Sequence, residues 1–292
     1  SAAVLSFALL LEVLLVITWD GTVFVTNGVS NFSTEWLSLS NFTSGSVGVA
    51  ILLAVASFAG FEATAIFREE AKDPEKTIPR STFLAVGTLA VLFIITAIAY
   101  ITAYGAPTVI SATQADPANA ILNSVRQYLG NAGASAMNVL PCSSILASLL
   151  AMQHILSRSR SSLASDRVLF RKLAEVHPKY QSPHYASILV SVIAAVTIGI
   201  CVLNDVDPYK GYGGLGGVGG YALMLLQLLT AVSIIAYFAK VKHTYSWWRA
   251  YLAPGLAAVG LFSTSWLATT NMELLTGDTT LAYSLMGLAF AL

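Results

Sequence analysis

The sequence predicts an all-α polytopic membrane protein with about eight transmembrane helices. Of its 292 residues, 56% are hydrophobic and only 10% are charged, whereas a soluble domain carries about 25% charged residues. Apolar stretches close to the roughly 20 residues that cross a bilayer as a helix recur along the whole chain. Helices are expected there because a helix pairs its own backbone N–H and C=O groups inside lipid.

Eight apolar stretches are the predicted spans. In chain order they cover residues 2–19, 46–67, 80–104, 133–157, 184–203, 216–239, 249–269 and 278–292. The last stretch has about 15 residues, which is short for a crossing, and the chain does not begin with Met. We therefore expect the sequence to be the carboxy-terminal part of a larger protein.

The basic residues predict the topology. Of the 15 Lys and Arg residues, 13 lie in or beside the second, fourth and sixth loops between the spans. Cytoplasmic loops carry an excess of Lys and Arg, so these loops are predicted to be cytoplasmic and residue 1 to begin on the cytoplasmic side. Trp19, Tyr100 and Tyr104 then lie at outer span ends. There they fit either an interfacial aromatic belt or helix packing.

The second predicted span contains an acid at membrane depth. Glu62 lies roughly 7 Å along the helix axis from the span midpoint near Ser57. An ionised carboxylate facing lipid costs roughly 2.5–3.5 kcal/mol or more, so such a residue normally faces a partner, a cavity or a water path. Burial disfavours the charged form of a carboxyl group, which makes Glu62 a candidate for proton uptake and release. The alternative is a neutral acid bonded to a neighbouring helix.

Gly60 and Ser57 in the same span favour a helix break. Unwound backbone is tolerated at membrane depth only where it is buried in protein or lines a cavity, and glycine adopts it readily. A discontinuous helix would present carbonyl groups and N–H groups near the midplane, where transporters bind substrate. The alternative is a continuous helix in which Gly60 only allows close packing.

Residues 57–80, SFAGFEATAIFREEAKDPEKTIPR, resemble the sixth-helix signature of the amino acid/polyamine/organocation (APC) superfamily of permeases. Further similar segments are QADPANAILNSVRQYLG, VHPKYQSPHYAS, GGLGGVGGYALMLLQLLTA and NMELLTG. The resemblance implies a leucine-transporter-like inverted-repeat fold that lacks its first four helices and keeps the equivalents of helices 5 to 12. Residues 1–292 would form a single transmembrane domain, with 46–239 as the second five-helix repeat and 249–292 as the last two helices.

The same resemblance implies a secondary active transporter of amino acids or related amines, working by alternating access. Its expected partners are a small-molecule amino acid or amine, a proton rather than sodium, the lipid bilayer and the missing amino-terminal helices of the same protein. Its expected location is the plasma (inner) membrane, as a multi-pass protein. The alternatives are a polyamine or ethanolamine carrier, an exchanger, or a non-transporting truncated or assembly membrane protein.

By this resemblance, the substrate site lies in residues 57–62. The backbone carbonyls of Ser57, Phe58 and Ala59 would hold the substrate amino group, and Gly60 would be the breaking point. Some relatives carry an aromatic gate six positions before the acid, where this chain has Ala56. Phe58 or Phe61 could take its place, and Glu62 completes the predicted site.

Four residues are candidates for proton coupling: Glu62, Glu12, Ser144 and Ser148. Glu12 lies deep in the first span, near a position where some proton-coupled relatives carry a lysine, although the sign of the charge differs. The alternative for Glu12 is a snorkelling or helix-bonded acid. Ser144 and Ser148 share one helix face. The resemblance places Ser148 near the site for sodium or its proton substitute, whereas small hydroxyl residues also ease helix packing.

Motifs of other protein classes are missing from the sequence. Residues 211–221, GYGGLGGVGGY, contain the spacing G-x-G-x-x-G, but neither a strand before it nor an acidic residue about 20 positions later supports a dinucleotide loop. Close helix approach explains these glycines better. The sequence predicts no enzyme, catalytic residue, cofactor, metal site or nucleic-acid partner.

Overall fold

The computed structural model describes residues 2–28, 38–43, 45–61, 64, 71–179, 182–242 and 245–270. These residues form helices and turns, with no β-strand among them. The α-helices are α1 (Ala2–Asn27), α2 (Leu39–Phe42), α3 (Val47–Ser57), α4 (Pro74–Tyr104), α5 (Val109–Ala115), α6 (Ala120–Ser165), α7 (His184–Leu203), α8 (Pro208–Lys240) and α9 (Ala253–Thr269). A 3-10 helix covers Arg171–Ala174, and a π-helix covers Trp248–Leu252 directly before α9.

Six of the described helical segments are long and apolar enough to cross a membrane: Ser6–Asn27, Pro74–Tyr104, Ala120–Ser165, His184–Leu203, Gly211–Lys240 and Trp248–Thr269. Helix α3 is apolar but has only 11 residues. Together these seven correspond to the first seven predicted spans, and the eighth, 278–292, lies outside the described residues. The prediction of an all-α polytopic membrane protein is confirmed.

Several helices extend beyond the predicted span ends: α6 ends at Ser165 instead of residue 157, and α8 begins at Pro208 instead of residue 216. Helix α1 continues to Asn27 instead of ending at residue 19, because the charged residue that follows, Asp20, is buried within the fold rather than placed in a loop. Helix α4 begins at Pro74 instead of residue 80, with Asp73 at its N-cap. Its first turn is too polar for a hydropathy reading to include, although proline is well suited to a first helical position.

The chain divides into two compact units. One contains residues 1–36 and 63–205, and the other contains residues 37–62 and 206–292. The chain passes from the second unit to the first between residues 62 and 63.

In the first unit, α1 packs against α6 and α4. Its buried cluster joins Trp19 and Val23 of α1 to Ala99 of α4 and Val125 of α6. Trp19 is therefore a packing residue, not a member of an interfacial belt. Gly130 interrupts α6 with φ of 68°, so the segment before it is a separate helical piece.

In the second unit, α3 packs against α8 and α9 at very short range. A Cβ atom on Gly48 would lie 2.5 Å from the backbone of Leu267 in α9, and one on Gly220 would lie 2.7 Å from Ala56 Cβ. The buried cluster of this unit contains Leu52, Tyr221, Met224 and Ala268. Gly220 is thus the member of the glycine-rich segment that allows the close helix approach expected there.

We expect Gly220→Ala to lower the free energy of unfolding by about 1–3 kcal/mol, because the new methyl group would overlap Ala56. Thermal unfolding of the purified protein in detergent measures the effect. Gly219→Ala is the matched control, since a Cβ at that position meets open space and alanine favours a helix by up to about 1 kcal/mol. Equal melting temperatures for both variants would contradict the packing role of Gly220.

Candidate functional site

The regular hydrogen bonding of α3 ends at Ser57, inside the stretch where the sequence predicts a helix break. Phe58 N–H donates to Val55 O at 3.1 Å and Ala59 N–H donates to Ala56 O at 3.0 Å, which tightens the last turn. Residues 58–61 then form a turn. Gly60 has φ of +107°, a conformation that glycine adopts without the steric cost that other residues incur.

If α3 begins at the membrane surface, its carboxyl end lies within the apolar layer. Its 11 residues rise about 16 Å, roughly half of a hydrocarbon core of about 30 Å. The carboxyl end of a helix carries the negative end of the helix dipole and its last carbonyl groups, both of which favour a cation. The hydroxyl of Ser57 bonds back to Leu53 O at 2.8 Å, so Ser57 offers its backbone rather than its side chain.

The other predicted residues of this segment differ in exposure. Phe58 and Phe61 are half-buried and Ala59 is exposed, so an apolar ring is at each end of the turn. Glu62 lies outside the described residues. Thr64 belongs to the first unit, where its hydroxyl lies 2.7 Å from the hydroxyl of Thr82 in α4.

Glu12 and Ser144, predicted separately as coupling residues, lie in contact. The hydroxyl of Ser144 in α6 donates a hydrogen bond to Glu12 Oε2 in α1, and both side chains are half-buried. Ser148, one turn further along α6, is exposed. The structure thus joins Ser144 to Glu12. None of the hydrogen bonds between described residues links Ser148 to this pair.

Asp20 is a buried acid that the sequence reading missed. Its exposed fraction is 3%, and Thr96 Oγ1 of α4 donates a 3.0 Å hydrogen bond to its Oδ2 atom. Its other oxygen, Oδ1, has no hydrogen-bond partner among the described residues. The signal was present in the sequence, because apolar residues resume with Val23, Phe24 and Val25 soon after Asp20. A helix that continued would have carried Asp20 inside the span.

Polar side chains beyond Asp20 tie the ends of three helices together. Asn27 Nδ2 donates to Tyr128 Oη at 2.9 Å, and Tyr128 donates to Ala103 O at 3.2 Å. Tyr104 donates to Ala120 O at 2.5 Å. These bonds join α1, α4 and α6 at one end of the first unit.

The sequence profile of the family described as Amino acid permease matches residues 2–291. The chain belongs to this family. Its resemblance to the APC superfamily is thereby confirmed. The permease is a multi-pass integral membrane protein, with which a plasma-membrane location is consistent.

Among curated proteins, the permease is similar to uncharacterized transporters of Mycobacterium bovis and of two Mycobacterium tuberculosis strains. Each is 32% identical over 140 residues, which cover 48% of this chain and 30% of the relative. The matched part is thus about a third of each relative's length. No solved structure matches the permease.

We expect Glu12 and Ser144 to be energetically coupled in the folded permease. Contacting residues in one hydrogen-bond pair show interaction energies of about 0.5–3 kcal/mol. Glu12→Gln, Ser144→Ala and their combination, compared by unfolding in denaturant, measure this energy. Ser148→Ala replaces Ser144→Ala in the control cycle, where additive effects are expected because Ser148 is exposed. Additivity in both cycles would show that the contact contributes nothing to stability.

Proposed function

We propose that this permease is a secondary active transporter that moves amino acids or related amines across the membrane, driven by a proton gradient. The observation that carries the proposal is the end of α3 at Ser57, followed by Gly60 at φ of +107°. A helix that stops within the apolar layer is tolerated where its backbone meets protein, water or a ligand. Transporters bind substrate at such interrupted helices.

The chemistry of this helix end suits an ammonium group. The proposed contacts are the carbonyl groups of Ser57, Phe58 and Ala59, since the negative end of the α3 dipole favours a positive charge. Phe58 and Phe61 would enclose the apolar part of the substrate. Glu62 is proposed as a second interaction partner of the amine and as a proton carrier.

Proton coupling is assigned to Glu12 and Ser144. A charged Glu12 accepts a charge-assisted hydrogen bond from Ser144, which is roughly twice as strong as a neutral one. A proton on Glu12 would weaken that bond and with it one link between α1 and α6. A change of protonation would therefore change how tightly two helices are held, which is what coupling requires. Ser148 is kept as a coupling candidate on the resemblance alone.

Uptake by the purified full-length protein in liposomes tests the transport proposal. A panel of amino acids is tested first, followed by putrescine and ethanolamine, each with and without a pH gradient that is acidic outside. We expect accumulation of at least one amine-bearing compound that collapses when a protonophore removes the gradient. Absence of transport for every compound would overturn the proposal. Gradient-independent exchange would overturn proton coupling and leave an exchanger.

We expect Gly60→Ala to weaken substrate binding by up to roughly 5- to 150-fold. Alanine at the native φ of +107° would be strained by about 1–3 kcal/mol. The strain would shift the variant toward conformations that lack the turn and bind substrate less well. Equilibrium binding of a transported amine to the detergent-purified protein measures the affinity. Gly87→Ala in α4 is the control, because its Cβ would meet open space. Unchanged affinity in a folded Gly60→Ala protein would remove Gly60 from the site.

We expect Glu12→Gln to abolish accumulation driven by the pH gradient while exchange of internal for external substrate continues. The amide keeps the shape of the acid and can still accept the hydrogen bond from Ser144, but it cannot carry a proton. Uptake and counterflow in the same liposomes separate these two activities. Glu75→Gln, at an exposed acid in the first turn of α4, is expected to retain both. Normal gradient-driven accumulation in Glu12→Gln would assign coupling elsewhere.

A further inference from the structure

Helix α1 carries two acids within one candidate span. Glu12 and Asp20 are eight residues apart, which corresponds to about 12 Å along the helix axis. The span Ser6–Asn27 has its midpoint between them. By the distribution of basic residues, Glu12 lies in the half nearer the cytoplasm and Asp20 in the outer half.

The two acids bind to different helices. Glu12 accepts its hydrogen bond from Ser144 of α6, and Asp20 accepts its bond from Thr96 of α4. Each acid therefore has one hydroxyl donor on a different neighbour of α1. A change of charge at Asp20 would act on the α1–α4 contact, whereas a change at Glu12 would act on the α1–α6 contact.

The surroundings of Asp20 provide little support for a permanent charge. Asp20 follows Trp19 and lies one turn from Val23, within the part of α1 that forms a buried cluster with Ala99 and Val125. No basic side chain of the described residues forms an ion pair with it. Buried charges are normally paired and fully hydrogen-bonded, but Asp20 has the single bond from Thr96 and an unpartnered Oδ1 atom with an accessible area below 1 Å².

The other titratable groups around this cluster are two phenols, Tyr100 on α4 and Tyr128 on α6. Both are already engaged: Tyr100 Oη lies 2.8 Å from Thr113 Oγ1, and Tyr128 donates to Ala103 O. Lys, Arg and His residues are not among the cluster's described members. Asp20 is thus the carboxyl group beside this cluster, and it has no basic partner among the described residues.

We propose that Asp20 is a second proton-binding carboxyl of the permease, in the outer half of α1, where it exchanges its proton with the outer solution. A hydronium ion of the outer solution gives its proton to Oδ1, while Oδ2 keeps the hydrogen bond from Thr96. The carboxylate re-forms when the proton returns to water. Asp20 and Glu12 are too far apart for direct transfer, so exchange between them requires water. The role of Asp20 in transport rests on the proposed proton-coupled function. Proton binding by Asp20 does not depend on that function.

Infrared difference spectroscopy tests proton binding directly. Spectra of the purified full-length protein in lipid are recorded at high and low pH, and the carbonyl-stretch band of protonated carboxyl groups is followed. We expect a component of this band to be absent in Asp20→Asn and retained in Glu12→Gln. An unchanged band in a folded Asp20→Asn protein would overturn the proposal, whether or not the protein transports any amine.

Thr96 provides a test that keeps the acid in place. Thr96→Val removes the donor to Asp20, and hydrogen bonds to charged groups contribute roughly 1.5–3 kcal/mol, so the pH midpoint of the Asp20 band should shift by about one unit or more. Thr102→Val is the matched control in α4, because its hydroxyl bonds only within its own helix, to Ile98 O at 2.8 Å. Equal midpoints for both valine variants would overturn the assignment of the band to Asp20, even if Asp20→Asn fails to fold.

Transport assays then separate this proposal from the proposed function. With a wild-type protein that accumulates an amine, we expect Asp20→Asn to lose gradient-driven accumulation and to keep exchange. If the wild-type protein accumulates an amine and Asp20→Asn accumulates it equally well, Asp20 has no role in coupling and the proposed function stands. A wild-type protein without transport would overturn the proposed function, and the infrared result would then decide proton binding by Asp20 alone.

Discussion

Lipid offers no partner to a peptide group or to a charge, so both must be satisfied within the protein or by what it binds. This constraint applies to the backbone groups at the end of α3, which need partners. The last turn uses some of its own groups, with Phe58 and Ala59 bonding back to Val55 and Ala56 and the Ser57 hydroxyl to Leu53. What the helix presents beyond that turn is the negative end of its dipole, at about half the depth of a bilayer. Under the proposed function, an ammonium group is the complement of that end.

The same constraint acts on the acids of α1. A carboxyl at membrane depth is retained when it is paired, reaches water or changes its charge. Glu12 and Asp20 each receive one hydroxyl hydrogen bond, from Ser144 and Thr96 respectively. Serine and threonine donate without adding a charge, so they leave the acid able to take up a proton. A lysine or arginine partner would have fixed the carboxylate in its charged state. Hydroxyl partners on two different helices therefore fit a role in which the charge changes during use.

Much of the architecture followed from the sequence because membrane spans are set by length and composition. The spans corresponding to α7 and α9 were predicted closely, and the interruption near Gly60 was expected from a glycine and an acid at membrane depth. The end of α1 was missed because composition does not show whether a charged residue is buried. A hydropathy reading ends at the first charge after an apolar run, and it cannot tell that Asp20 is enclosed by the fold rather than exposed in a loop.

Contacts between helices could not be predicted in the same way. Glu12 and Ser144 are 132 residues apart in sequence, and each was selected for its residue type and depth alone. Only the packing of α1 against α6 brings them together. Likewise, the glycine-rich segment 211–221 predicts close packing somewhere along α8, but the position of Gly220 against Ala56 depends on how α3 lies against α8.

The glycines of the second unit serve two different physical purposes within a short distance. Gly48 and Gly220 lack a side chain where α3 meets α9 and α8, so α3 is held at short range as far as Ala56. At Gly60, four residues later, an added Cβ atom would meet open space, and the glycine is needed instead for its backbone conformation. The rigid part of the segment thus ends just before the turn begins. A binding segment arranged in this way has its position set by packing and its shape set by the turn. Under the proposed function, a substrate bound there would change the conformation of the turn without disturbing the helix that supports it.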